Sequence, residues 1–236
     1  MMARLWIGIV GFAAFVGAIL SDASLESARV HAVDHLVAPL ADAPPTDDVP
    51  AAVQKLLGGP AFKVTRGESR TVCEIWLCKQ WPLAAAAQPK GDVIYPFQPG
   101  QILGVARYPR KAADFRDQSI ASGIYTIRYG QQPVDGAHVG TSPTRDFLVL
   151  IRAADEQSVE PLDYKTLITK SAEAAGSKHP LLLSLQRLEG AADSPLSIRH
   201  REEQDWWIVR VDGESKQADK AAKQPLELVV VGHASE

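Results

Sequence analysis

The sequence predicts a mostly β protein, a single antiparallel β-sandwich with one inserted helix near residues 163–175, preceded by a signal helix. Three observations carry that expectation. Short runs rich in Val, Ile, Thr, Tyr and Trp recur from Ala61 onward between Gly, Pro and Asp punctuation. One stretch, 163–175, has helical spacing and its own start and stop signals. The first 32 residues differ in character from all that follow. The chain is thereby divided into a signal peptide or anchor (1–32), a Pro/Asp-rich linker (33–60) and a β-sandwich domain (61–236).

Arg4 precedes an uncharged apolar run over residues 5–20 that ends at Ser21 and Asp22, the order of a secretory signal. Its sixteen residues fall short of the roughly 20 that cross a bilayer comfortably. Small residues suit cleavage after Ala23 or after Ala32. An uncleaved anchor, the one expected membrane contact, and a buried core helix are the other readings. As a signal, the run assigns the protein to the periplasm, the cell surface or the medium.

The next stretch carries Pro39, Pro44, Pro45 and Pro50 with Asp42, Asp47 and Asp48, too little apolar surface to fold alone, and so reads as a linker. A short helical turn over 51–57 is stopped by Gly58-Gly59-Pro60. Strands are expected at 69–78, 101–108, 123–129, 146–151, 181–188, 205–211 and 226–231. The last is apolar almost throughout, as a strand covered on both faces would be. Asp163 caps the expected helix, Gly176 ends it, and Leu167, Ile168, Ala172 and Ala175 form its inner stripe.

Two cysteines, Cys73 and Cys78, would suggest a disulfide in an oxidising compartment. On one straight strand, however, a separation of five puts them on opposite faces about 16 Å apart, beyond the roughly 7 Å limit for a bridge. Twenty-five basic against 28 acidic residues leave a net charge of −3, so nothing in the composition favours nucleic acid as a partner.

Chemistry is concentrated in the stretch 130–146, where Asp135, His138, Arg145 and Asp146 bring two carboxylates, an imidazole and a guanidinium together. A connection of that length between strands is usually functional or mobile. The competing reading is an Asp135-Gly136 turn, a solvated His138, and strand partners for Arg145 and Asp146. A metal centre on His138 would need ligands from elsewhere, and no H-E-x-x-H motif is present. A G-x-S-x-G elbow is also absent, and Glu202-Glu203 and the Asp114/Asp117 pair read as solvated charge. Trp76 and Trp81, with Trp206-Trp207, offer flat faces for a sugar or peptide; adjacent Trp206 and Trp207 must point to opposite sides of a strand.

The segments Val72-Cys73-Glu74-Ile75-Trp76, Ser122-Gly123-Ile124-Tyr125-Thr126-Ile127-Arg128-Tyr129, Pro133 through Phe147, and Asp205-Trp206-Trp207 together resemble a family of uncharacterised exported bacterial proteins. The glycine-entered tyrosine strand is similar to strands of immunoglobulin-like secreted modules. The resemblance implies an immunoglobulin-like sandwich and export, with no known activity. The expectation is a non-catalytic binding or accessory protein for a protein, glycan or small molecule, with no cofactor and with Asp135, His138, Arg145, Asp146 and Trp76 at the ligand. The alternative is a periplasmic metal-binding protein or metalloenzyme holding copper, zinc or iron at His138.

Overall fold

The computed structural model describes residues 34–83, 89–133, 144–190 and 193–234; the expected signal segment, Asp135 and His138 lie outside them. In chain order the described strands are β1 (His35–Pro39), β2 (Leu57–Arg66), β3 (Arg70–Cys78), β4 (Trp81–Pro82), β5 (Ile102–Tyr108), β6 (Ala112–Ala113), β7 (Ser119–Ile120), β8 (Gly123–Gln131), β9 (Asp146–Arg152), β10 (Leu181–Ser184), β11 (Leu196–Arg201), β12 (Trp206–Gln217) and β13 (Lys220–Val231). The helices are α1 (Ala51–Gln54) and α2 (Tyr164–Ala175).

The fold is the mostly β sandwich that the sequence predicts. A seven-stranded antiparallel sheet runs β1-β2-β3-β5-β8-β9-β10, and a second sheet runs β11-β12-β13 with β4 parallel to β12. Neighbours in the large sheet follow chain order, a meander, where immunoglobulin domains connect their strands as Greek keys. The sheet curls until β10 meets β13, where Leu185 and Leu228 form an antiparallel bridge and the Gln186 amide donates to the Glu227 carbonyl at 2.9 Å. Tyr95 pins this seam: its hydroxyl donates to the Gln186 carbonyl and accepts from the Glu227 amide.

Period-2 alternation sorts the apolar side chains into two clusters. Leu148, Leu150, Trp207, Val209, Val211, Leu226 and Leu228 point into the main core between the sheets, with Phe62, Val64 and Ile75. Their neighbours Phe147, Val149, Ile151, Trp206, Ile208 and Val229 face the other way and are covered by Leu167 of α2 and by Phe115. Burial on both faces explains the unbroken apolar run of β9. Each fully buried large side chain contributes roughly 1.5–3 kcal/mol. Trp206 and Trp207 thus take opposite faces, as strand geometry requires.

Helix α2 has the predicted ends, with Asp163 accepting from the Thr166 amide and Gly176 left-handed at φ 62°. Its buried stripe is Leu167 and Ser171, not Ala172. The Ser171 hydroxyl donates to the Leu150 carbonyl at 2.7 Å and accepts from the Leu181 amide, docking α2 across β9 and β10.

The expected linker is corrected. Residues 35–39 are an edge strand, and Val49, Val53 and Leu57 are buried in the main core. A segment too polar to fold alone gains enough apolar contact when an existing sheet receives it, and Pro39 is tolerated at the end of an edge strand. Cys73 and Cys78 are buried and unbridged within the single strand β3. Among the described residues no helix is long and apolar enough to cross a membrane.

Candidate functional site

Of the predicted site residues, the described ones are structural. The Asp146 carboxylate is buried and accepts three hydrogen bonds, from the Ile94 amide at 2.8 Å, the Tyr95 amide at 3.1 Å and the Tyr129 hydroxyl. Burial pushes its pKa up, and those donors oppose the shift. Asp146 therefore fastens the 94–95 segment to β8 and β9. Arg145 is half-buried and closes the same region, its Nε donating to the Gln132 carbonyl at 2.7 Å and its amide to the Asp92 carbonyl at 2.9 Å. Trp76 is also buried, donating to the Asp42 carbonyl at 3.0 Å under the Arg107 guanidinium, 5.5 Å above its ring. It offers no ligand platform. With β5 and β8 between them, Trp76 and Asp146 belong to no common site.

A different set of residues converges at one rim of the sandwich. His35, Arg66 and Arg70 are direct partners across β1, β2 and β3, so their side chains share one face, which is also the face of Val37 and Val64. They stand one step beyond the apolar core. Tyr108 ends β5, and the link to β6 brings Arg110 and Lys111 to the same rim, while the end of β13 at Val230 supplies an apolar wall. Together they line a half-open cleft of about 180 Å³ with no carboxylate in its lining. Arg66, Arg70, Arg110 and Lys111 are exposed and form no ion pair among the described residues.

At the floor, His35 is only 8% exposed, and its Nδ1 is buried without a hydrogen-bond partner. The ring packs 4.9 Å from Trp207, which also stacks against His200 at 4.3 Å. His200 is held by Asp205, 2.7 Å from its Nε2. Burial lowers the His35 pKa below its ordinary value; the Arg66 guanidinium and His200 lower it further, and Asp205 and Asp34 act the other way.

Sequence reading missed this site because its parts are spread from residue 35 to 232. The signal was there in two pieces, the Arg66-Gly67-Glu68-Ser69-Arg70 turn and the Arg107-Tyr108-Pro109-Arg110-Lys111 run. A net charge of −3 says nothing about where the positive charge gathers. Chemically, the cleft can attract and hold an anion through forked guanidinium donors. Among the described residues no group of three or more His, Cys, Asp or Glu is positioned to hold a metal ion.

Fold and site define a mostly β sandwich with a cationic cleft at one end. Comparison with protein-family models, with curated proteins and with solved structures finds no match.

Proposed function

We propose that this chain is an exported, non-catalytic binding or accessory module whose ligand carries negative charge and enters the cleft between Arg66, Arg70, Arg110 and Lys111. The observation that supports this reading is the convergence of four cations, without ion-pair partners among the described residues, on one half-open cleft with no carboxylate in its lining. Like charges so assembled repel one another, and an anion among them relieves the repulsion. The apolar residues 5–20 support export.

Titration calorimetry of the full chain against sulfate, phosphate, citrate and acetate at low ionic strength tests the reading. At least one anion binds, and the double variant Arg70→Glu, Arg110→Glu abolishes its heat. Absence of binding by all four anions, or full binding by the double variant, removes the cleft from the account. The alternative centred on His138 has no supporting observation among the described residues, since Asp146, one of its ligand candidates, is already engaged by three donors.

A further inference from the structure

Resting on the anion-binding reading, we propose that the cleft is a proton-linked site for a compact tetrahedral oxyanion of the sulfate or phosphate class, free or as the terminal ester of a larger molecule, and that His35 takes up the proton.

Size selects the ligand first. At about 180 Å³ the cleft is smaller than the roughly 300–1,000 Å³ of sites for drug-sized molecules. A single charged group fits inside it. Geometry selects next. His35, Arg66 and Arg70 lie on three successive strands, about 4.8 Å apart, and line the cleft together with Arg110 and Lys111. Guanidinium forks match the paired oxygens of an oxyanion.

His35 supplies the linkage. Its Nδ1 is buried without a hydrogen-bond partner among the described residues, and Arg66 is its direct cross-strand partner. The groups that act on it come from every side: Arg66 from β2 and His200 from β11 disfavour the imidazolium, while Asp34 beside it and Asp205 at the start of β12 favour it. Arg70, Arg110 and Lys111 line the cleft with Arg66, whose positive field reaches the ring. A dianion in the cleft offsets that field and stabilises the imidazolium. Coupling of this kind is reciprocal, so protonation of His35 also tightens the anion.

Sulfate is the discriminating probe because it keeps both charges across the histidine range, so any pH effect belongs to the protein. Calorimetry of the full chain with sodium sulfate at about pH 5.5 and about pH 8, at fixed chloride, should show roughly tenfold tighter binding at the lower pH, the equivalent of one pKa unit. His35→Gln should bind with the weaker affinity at both, and His200→Gln should keep the pH dependence. Binding of citrate without sulfate or phosphate, pH-independent sulfate binding, or unchanged pH dependence in His35→Gln overturns the inference and leaves the anion-binding reading intact. Failure of every anion overturns both. In the event that His35→Gln fails to fold, an NMR titration of the His35 ring decides: its midpoint rises when sulfate is added, and an unmoved midpoint refutes the linkage. Phosphatidylcholine vesicles with and without phosphatidic acid separate the sources. Retention by phosphatidic acid that is stronger at low pH and lost in Arg70→Glu, Arg110→Glu identifies a terminal ester, and tight free sulfate identifies the ion.

Discussion

Arg66 and Arg70 stand directly opposite each other across the β2–β3 hairpin, two like charges where a stabilising pair would be of opposite sign. The turn between them is Gly67-Glu68-Ser69, with Gly67 left-handed at φ 61°. The only residue directly paired with Arg66 on its other side is His35, which carries no negative charge either. A hairpin built only for stability would not choose this row. Under the proposed function, an anion in the cleft offsets this repulsion.

Removing one of the two charges should therefore help the empty protein. Arg70→Gln is expected to raise the melting temperature by roughly 1–3 °C in low-salt, anion-free buffer. Sulfate also stabilises proteins by exclusion from their surface, so the informative quantity is the difference between wild type and variant, which should shrink or reverse as sulfate is added. A variant less stable than wild type without anions would contradict the repulsion.

The pH dependence of the empty protein carries the His35 signature. The folded-state value lies below the ordinary 6.5, so the unfolded chain binds that proton more readily. The contribution of His35 to stability is present above about pH 6.5 and is lost as pH falls through the folded value. Urea midpoints followed from pH 8 to about pH 5 should drop less in His35→Gln than in wild type.

Asp146 behaves in the opposite sense. Its pKa is raised, so the folded state holds the proton more tightly, and the ionised carboxylate costs stability as pH rises through that window. Asp146→Asn removes the buried charge but turns one acceptor into a donor facing the Ile94 and Tyr95 amides and the Tyr129 hydroxyl. A net loss of about 1–3 kcal/mol is expected from denaturant unfolding.

Arg128 carries a larger penalty. Its fully buried guanidinium pairs with Glu156 at 2.8 Å and also donates to the carbonyls of Gly100, Ser158 and Glu160, tying the segment after β9 back to β8. Arg128→Met leaves the Glu156 carboxylate buried without its partner, and unfolding measurements should show a loss of about 3–5 kcal/mol.

Both thiols should be silent in the native protein. Burial pushes the Cys73 and Cys78 thiols up to about 12, which suppresses the reactive thiolate. A thiol reagent at neutral pH should label neither cysteine in buffer and both in guanidinium chloride, without prior reduction. Labelling that requires reduction would mean that they are bridged.

The sequence by itself determined the alternation that makes this a β protein, the capped helix α2 between Asp163 and Gly176, and the opposite facing of Trp206 and Trp207, because each follows from spacings within a short stretch of chain. It also marked Asp146 and Trp76 as unusual, but their unusual character turned out to be structural: both are polar-capable groups satisfied inside the fold. Only the tertiary structure decided that residues 35–57 join the domain and that His35, Arg66, Arg70, Arg110 and Lys111 share a rim. Strand pairing sets residues side by side that are far apart in the chain, and the net charge averages away a local cluster that the curl of the sheet assembles.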